Sequence, residues 1–460
     1  MTRQTNSFDP TLAALRFGTG LSPLFARPEN QGDLLAEFDA PMPYRVVGFD
    51  QADPSLRDFQ QAASRRNKAR GTDDATTTEN AFRDVRVAAN VIYNNALRAT
   101  FANHVGARVG FAARMERFWA DHFTVRARNT AQRHLVSPFI ADAIAPHMNG
   151  SFRDMLRAVV THPMMLLYLQ QVQSVGPQSP FGKRRKRGIN ENLARELLEL
   201  HTLGVNGPYD QDDVRALAEL LTGLTYNNQR GFFYDLRFAQ PGAETVMDIT
   251  YDAADGLANV LRAVDDLADH PQTAVHIAGK IAAYFVSDTP DADLIAAMAV
   301  AFRQSDGHLP AVYAAMLDHP SAWHRDLQKV KSPQHFMASA LRALGLTGGA
   351  IANATGRHTR EILVSPMRVM GQPWQRPNGP DGWPDDSRDW VSPQGMAGRI
   401  NWAMRAPRVM LDARLPDPRD FVHTALGDLA TQDVIFAAGA AEVRDEGIGL
   451  VLSAPAFQRS

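Results

Sequence analysis

The apolar residues of this chain recur mostly at the spacing of an α-helix. Between residues 80 and 104 they fall three or four positions apart, which places them along one side of a helix. The same spacing predicts further helices at about 111–124, 132–146, 151–161 and 163–171, and several more within 253–344 and 394–453. We therefore predict a mainly α protein, with one large multi-helix domain spanning residues 1–460.

Four stretches depart from the helical pattern. Residues 71–79 are small and polar, which predicts a mobile surface loop. Residues 174–188 predict a loop rich in Pro, Gly and basic residues. Residues 229–252 alternate and are rich in aromatic and β-branched side chains, which predicts one small β-hairpin insert. Residues 371–393 hold five prolines and three tryptophans. This composition predicts a long ordered loop that covers another part of the protein.

The three tryptophans of that loop have two interpretations. Trp374, Trp383 and Trp390 could pack the loop onto the protein core. They could instead form stacking platforms at the rim of a cleft, as they do in proteins that bind sugars or peptides. The sequence leaves both interpretations open.

The densest polar pattern lies on the helix predicted at 189–203. Counted from Asn192, the side chains of Arg195, Glu196 and Glu199 follow at offsets of three, four and seven residues, so all four share one face. We call these four residues the polar stripe. The leucines of the same helix place another of its faces in the protein interior. Half-buried carboxylates are energetically unfavourable unless they have an ion-pair partner or a functional role.

This region also carries a family resemblance. NENLARELLELHTLGV, followed by YDQDDVRALAELLTG, resembles the signature of a large bacterial family, domain-of-unknown-function family 1800. Other stretches that fit the family are RFGTG near the start, RFWADHFTV at 117–125, SVGPQSPFGKRRKRG at 174–188 and, more weakly, HIAGKIAAYFV, KVKSP and GQPW…GWP. The resemblance spans nearly the whole chain, but it implies no reaction because the family has none assigned.

Two functions of different classes fit the polar stripe. The first is a hydrolase-like or metal-assisted enzyme with Asn192, Arg195, Glu196 and Glu199 as its catalytic residues. The family resemblance adds His122, which would face the stripe as a ligand or proton carrier. The cofactor is unknown; a divalent metal would suit these oxygen and nitrogen donors.

The second function is a non-catalytic binding or assembly protein, with an envelope or exported protein as its partner. Arg195 would then bridge the acids structurally, and His122 would be a hydrogen-bonded core histidine. An open cleft that reaches the acids favours the enzyme, whereas a sealed bridge favours the scaffold. The sequence leaves open whether the protein is an enzyme.

A second candidate site is the basic run at 183–187. Lys183, Arg184 and Arg185 are candidates for binding an anion such as a phosphate or polysaccharide. The alternatives are a solvated loop or internal pairing with the acids of the following helix. The spacing of glycines and lysine does not fit a nucleotide-binding loop, and nucleic acid is not expected because neither interleaved aromatics nor a wide basic face is evident.

Composition narrows the remaining choices. The formal net charge is −2, so there is no global attraction to nucleic acid or anionic membrane, and the absence of cysteine excludes disulfides, thiolate metal sites and a cysteine nucleophile. No apolar run approaches the ~18 residues of a membrane span. The N-terminus lacks the apolar segment of a signal peptide, which predicts a cytoplasmic protein. The periplasm stays an alternative because similar proteins often look associated with export.

Overall fold

The computed structural model describes residues 7–252, 255–411 and 414–460. Helices make up 63% of the structure and strands 5%, which confirms the mainly α class. Within the described ranges, no helix is both long enough and apolar enough to cross a membrane.

The first half of the chain is built around one long helix, Ala75–Gly106, and the helix Phe111–His122 that follows it. The other α-helices of this half are Pro10–Leu12, Gly32–Leu35, Leu56–Lys68, Val136–Ala143, Phe152–Thr161, Pro163–Tyr168, Pro180–Arg185, Asn192–Glu196 and Gln211–Leu220. Two of them join π-helical turns, at Ala13–Phe17 and Leu197–Thr202, and 3₁₀ turns lie at Ala36–Phe38, Phe49–Gln51, Thr130–Leu135, Ala145–His147 and Gln171–Gln173.

The second half is also helical. Its α-helices are Leu257–Asp269, Pro271–Phe285, Ala292–Gln304, Leu309–Asp318, Pro333–Ala343, Gly348–Ala352, Gly356–His358, Ser365–Val369, Pro393–Leu411, Pro418–Leu426, Gln432–Ala440, Arg444–Ser453 and Pro455–Gln458. A π-helical turn lies at Thr359–Val364, and 3₁₀ turns lie at Pro320–Trp323, Ser387–Trp390 and Gly427–Leu429.

The β-structure differs from the single predicted hairpin. Strand Leu224–Asn227 pairs with Gly231–Tyr234, and strand Ala243–Val246 pairs with Ile249–Asp252, both antiparallel. The chain therefore forms two hairpins, because each predicted strand pairs with a close neighbour and not with the other. Alternation identifies a strand, but it does not identify its partner.

Two predicted loops contain more helix than the sequence indicates. The long helix already begins at Ala75, so only the first part of 71–79 lies outside it. The basic stretch 174–188 contains the short helix Pro180–Arg185, which the Ser179 side chain caps by accepting a hydrogen bond from the Gly182 amide. Residues 371–392 lie outside the α-helices and contain one 3₁₀ turn, and Pro393 begins the next helix. We call the stretch 371–393 the roof loop.

The apolar side chains form two large buried clusters. One draws mainly on residues 12–327, and the other draws on residues 93–105 and 336–457. The helix Phe111–His122 belongs to the first cluster, whereas Trp374 of the roof loop belongs to the second. The boundary between the two clusters is where the cavity described below lies, and such boundaries are common places for ligand sites.

Buried arginines hold together segments that are far apart in the sequence. Arg342 is 2% exposed, and it donates hydrogen bonds of 2.5–3.0 Å to the carbonyls of Gly20, Val105, Ala107 and Arg108. Arg16, from the RFGTG stretch, donates to the carbonyls of Ala322, His324 and Asp326. In both cases backbone oxygens surround the guanidinium, which compensates for its loss of water.

Glycine is required where RFGTG meets the start of helix Phe111–His122. A Cβ at Gly18 would lie 2.5 Å from the carbonyl oxygen of Val109, and one at Gly110 would lie 2.2 Å from Oγ1 of Thr19. Gly110 also has a φ of 96°, a conformation that favours glycine. This close approach brings the backbone of Gly18 within reach of side chains that line the cavity.

Candidate functional site

The polar stripe lies on the helix Asn192–Glu196 and its π-helical continuation Leu197–Thr202. Arg195 contacts carboxylates on both sides along the same helix: its guanidinium lies 3.1 Å from Glu191 and 3.1 Å from Glu199. The Arg195 side chain is 38% exposed. Asn192 is exposed, and its amide nitrogen lies 3.5 Å from the carbonyl oxygen of Leu169.

Of the two carboxylates of the stripe, Glu196 is the one that Arg195 does not bond. Within the described part of the chain, no group donates a hydrogen bond to its carboxylate. Burial, followed by the negative charges of Glu199 and Asp381, raises the pKa of Glu196 to about 7. Asp381 belongs to the roof loop, so this loop extends toward the stripe as well as over the cavity.

His122 is buried and bonds to the end of the stripe helix. Its Nε2 lies 3.2 Å from the carbonyl oxygen of His201, and Nε2 of His276 lies 3.0 Å from that of Leu200. These carbonyls belong to the last helical turn, which has no further amides to bond, so both histidines cap it. Burial and the neighbouring His201, His276 and Lys280 hold the pKa of His122 well below its ordinary value.

The structure therefore brings His122 to the backbone of the stripe helix rather than showing a contact with its carboxylates. In the residues that the structure describes, no group of three or more His, Asp or Glu side chains is arranged to hold a metal ion. The basic candidates Lys183, Arg184 and Arg185 are exposed on their short helix, and the Arg184 guanidinium lies 5.6 Å from the centre of the Phe181 ring.

A separate cavity of ≈ 120 Å³ lies between helix Phe111–His122, the segment 329–335 and the roof loop. All three tryptophans of the roof loop line it. Trp374 and Trp390 are also buried, at 5% and 8% exposure, so the loop both packs onto the core and covers the cavity. Val136, Ile140 and Met367 add apolar surface.

Two cations of the cavity wall have no carboxylate partner. Arg114 is 3% exposed and Lys331 is 1% exposed, and neither forms an ion pair within the described part of the chain. Arg114 donates to the carbonyl of Arg16 at 2.5 Å, and its guanidinium carbon lies 4.8 Å from the centre of the Phe285 ring. The Lys331 ammonium lies 4.3 Å from the centre of the Phe457 ring and makes no hydrogen bond to any residue within 7–252, 255–411 and 414–460.

Burial lowers the pKa values of both cations. Loss of water, with the positive charges of Arg114 and Arg399 nearby, lowers the pKa of Lys331 to about 7. Burial also lowers the pKa of Arg114 below its ordinary value. A buried cation without a counter-ion is unusual, because most such charges are paired or hydrogen-bonded.

Two buried histidines, His104 and His335, line the cavity together with these cations. His104 contacts the Thr19 hydroxyl through Nδ1 at 3.1 Å, and His335 is hydrogen-bonded to the backbone of Gly18. The Nε2 atom of each ring is buried and has no hydrogen-bond partner among the residues that the structure describes. Burial, with Arg117 and Arg114 nearby, lowers the pKa of His104 to about 3, and burial also places the pKa of His335 well below its ordinary value.

Unsatisfied polar atoms are concentrated here. In the described part of the chain, 17 buried side-chain nitrogen and oxygen atoms lack a hydrogen-bond partner, and eight belong to residues that line this cavity. Five of the eight are N–H donors, on Arg114, Arg117, Lys331, Gln334 and Trp374. Buried donors are normally satisfied, so this excess favours a ligand rich in acceptor atoms.

Asp121, from the same helix as Arg114, also lines the cavity. Its Oδ1 accepts a hydrogen bond of 2.9 Å from the backbone amide of Trp383 in the roof loop. Burial, with the negative charge of Asp385 added, raises the pKa of Asp121 to about 7. The cavity is thus lined both by a carboxyl group that can carry a proton near neutral pH and by two cations without an ion-pair partner among the described residues.

Ion pairs fasten the roof loop beside the cavity. Asp385 pairs with Lys280, and Lys329 pairs with Asp288. The Lys329 ammonium also donates to the backbone carbonyl of Asp385 at 2.5 Å. Lys329 is also buried, at 6% exposure, but unlike Lys331 it has an ion-pair partner and a carbonyl acceptor.

A larger cavity of ≈ 450 Å³ shares Arg117 and Ile140 with the first one. Apart from the shared Arg117, whose Nε lacks a hydrogen-bond partner among the described residues, its polar side chains include well-bonded ones: Asn103 exchanges hydrogen bonds with the backbone of Tyr44, and Glu37 accepts from the amides of Val109, Gly110 and Ala112. Unsatisfied donors, rather than size, therefore distinguish the smaller cavity as the candidate site.

None of the site residues predicted from the sequence lines this cavity. A signal was nevertheless present in the stretches that carry the family resemblance. RFWADHFTV supplies Arg117 and Asp121, KVKSP supplies Lys329 and Lys331, and GQPW…GWP supplies Trp374 and Trp383. Three stretches far apart in sequence thus meet at one cavity.

The comparisons agree with the resemblance. The family model described as a protein of unknown function, DUF1800, matches residues 15–459. Searches of the curated proteins and of the solved structures find no match.

Proposed function

The chain belongs to the DUF1800 family, described only as proteins of unknown function, and we propose that this member binds a small organic anion in the cavity beneath its roof loop. One observation carries the proposal. Arg114 and Lys331 are buried and unpaired, and they line the same cavity. A bound anion would supply the missing counter-charge and acceptors, which is the usual condition for a charge to stay buried.

The wall chemistry describes the ligand further. A guanidinium and an ammonium group suit a carboxylate or a phosphate. The tryptophans of the roof loop and the aliphatic residues opposite suit a carbon skeleton. The cavity volume of ≈ 120 Å³ restricts the ligand to a small molecule.

The test measures binding of acetate, pyruvate, succinate and inorganic phosphate by calorimetry and by thermal shift. We expect at least one of these anions to raise the melting temperature of the wild type. Lys331→Met should weaken its affinity at least about tenfold, because a charge-assisted contact of ~1.5–3 kcal/mol is lost. Glu196→Gln is the matched control and should bind as the wild type does.

The panel also separates the two ligand chemistries. Stronger binding of the carboxylates favours an organic acid, whereas stronger binding of inorganic phosphate favours a phosphorylated ligand. If no anion binds the wild type, or if Lys331→Met binds equally well, the proposal fails.

A second candidate function rests on Glu196. The stripe would then be the site of an acid–base reaction in which Glu196 transfers a proton, Arg195 positions Glu199, Asn192 offers its amide on the same face, and His122 supports the helix end. The specific observation is a half-buried carboxylate whose pKa is about 7 and which Arg195 leaves unbonded.

Hydrolysis of p-nitrophenyl esters, phosphates and glycosides tests this candidate. It predicts turnover of at least one class, with an inflection of the rate near pH 7 that disappears in Glu196→Gln. Unchanged turnover in Glu196→Gln, or none of these substrates being cleaved by the wild type, would reject it. In that case the stripe is a structural network, as in the non-catalytic alternative.

A further inference from the structure

Lys331 differs from the other buried cations in having both a reactive group and no fixed partner. Arg16, Arg342 and Arg399 donate to backbone or side-chain oxygens. The Lys331 side chain contacts the Phe457 ring, and its nitrogen has no hydrogen-bond partner. An amine in such surroundings loses its proton more readily and becomes nucleophilic.

The positively charged groups around Lys331 all lower the pKa of its amine. Arg114 faces it from helix Phe111–His122, and Arg399 from helix Pro393–Leu411. His335 lies near it on the following helix, with His104 beyond. Both guanidiniums disfavour a further positive charge, and burial does the same, so the neutral amine is well populated near pH 7.

We propose that the Lys331 amine forms an imine with a small 2-oxo acid held in the cavity. This inference rests on the proposed anion-binding function and names the ligand class. The carboxylate of such an acid would be held by the Arg114 guanidinium. Its carbonyl carbon, one bond away from the carboxylate, would then lie on the cationic side of the cavity with Lys331.

The reaction balances without any further reactant. The amine lone pair attacks the carbonyl carbon, so that a C–N bond forms and the carbonyl oxygen takes up a proton. The resulting carbinolamine loses the nitrogen proton and its hydroxyl group, the latter protonated to leave as water, and a C=N bond remains. Asp121 lines the same cavity and is the group that gives and takes these protons.

Borohydride reduction of the full chain in the presence of pyruvate or 2-oxobutyrate provides the test. Reduction converts an imine into a stable secondary amine, and peptide mass spectrometry locates it. We expect one adduct per chain, on Lys331. Lys329 is an internal control on the same stretch, because its ammonium is paired with Asp288 and should stay unmodified.

Lys331→Arg keeps the charge but cannot form the imine, so its adduct should fall to background; circular dichroism and the melting temperature show that it is folded. Trapping in the wild type should speed up between pH 6 and pH 8. Equal labelling of Lys329 or of Lys331→Arg, or no adduct at all, overturns the inference.

Binding of 2-hydroxybutyrate, which has no reactive carbonyl, separates this inference from the proposed function. If 2-hydroxybutyrate binds and 2-oxobutyrate leaves no adduct, the imine is wrong but the anion site stands. If neither acid binds, both proposals fall together.

Discussion

The polar stripe and the cavity show two different fates of charged side chains in one protein. On the stripe, Arg195 lies between Glu191 and Glu199, with much of its side chain exposed to water. In the cavity, Arg114 and Lys331 are almost fully buried and lack a carboxylate. The stripe is easier to recognise in the sequence. The larger electrostatic penalty lies in the cavity, because its charges are buried without an opposite charge. A dense run of charges can therefore be less informative than a single buried charge without a partner.

The largest effect should come from a buried cation that does have partners. Arg342→Met leaves four backbone carbonyls without their donor. We expect the free energy of unfolding to fall by at least about 3 kcal/mol, since each buried unsatisfied group costs ~1–3 kcal/mol. Urea unfolding measures this. Arg357→Met is the control, because Arg357 is 81% exposed, and its loss should change little.

Replacing Lys331 should increase stability, in contrast to replacing Arg342. Lys331→Met removes an uncompensated buried charge, so we expect the unfolding free energy at pH 7 to rise by roughly 1–4 kcal/mol. Lys329→Met, two residues away, should instead be destabilising because it leaves Asp288 without its ion-pair partner. A loss of stability in both variants would show that Lys331 has a partner after all, and the contrast between stripe and cavity would disappear.

The pH dependence of the unfolding free energy tests the buried charge of Lys331 in a second way. The unfolded lysine keeps its proton up to a pKa near 10.5, whereas folding lowers the pKa of Lys331 to about 7. Between these values the unfolded state binds more protons, so this group makes the unfolding free energy rise with pH from about 7 to about 10. Urea unfolding at pH 6, 7.5 and 9 should show a smaller rise in Lys331→Met than in the wild type.

A smaller effect is expected on the stripe. Folding raises the pKa of Glu196 from 4.5 to about 7, so the folded state binds more protons in that range and stability falls as pH rises through it. Glu196→Gln should remove this loss and be more stable than the wild type at pH 8 by about 1 kcal/mol, discounted for partial exposure. Thermal unfolding at pH 4.5 and pH 8 should show the gain only at the higher pH.

The smallest effect should follow from Arg195→Ala. Its two ion pairs lie four residues apart along one helix and are partly exposed, which limits each to ~0.3–0.5 kcal/mol. We expect this difference to shrink further in 1 M salt, as measured by thermal unfolding. A loss of several kcal/mol would mean that the stripe does more to join elements of the fold than the single hydrogen bond of 3.1 Å from Arg195 to Gln211, at the start of the next helix, indicates.

Local patterns account for most of the fold. The spacing of apolar residues locates the helix that is observed at Phe111–His122. A capping box formed by Asp210 and Asp213 explains why helix Gln211–Leu220 begins where it does. The hairpin pairing was less accessible, because strand Leu224–Asn227 follows directly on that helix and the helical pattern obscures it. Local signals determine the type of an element better than its end or its partner.

The cavity could not be located in this way. Its wall combines residues from helix Ala75–Gly106, helix Phe111–His122, the segment 329–335 and the roof loop. No periodicity within one of these segments indicates that Arg114 and Lys331 line a common space. The roof loop itself was predicted from its prolines and tryptophans, and its position over the cavity is what connects that prediction to a candidate site.

Three of the chain's six tryptophans line the cavity through the roof loop, which gives the protein an intrinsic optical probe. The other three, Trp119, Trp323 and Trp402, lie at 0–4% exposure, and each donates its indole N–H to an oxygen within the fold. Entry of a molecule beneath the loop should therefore shift or quench part of the ultraviolet fluorescence and leave the rest as a steady background. Stopped-flow emission can then record the rate of loading directly, with no dye attached.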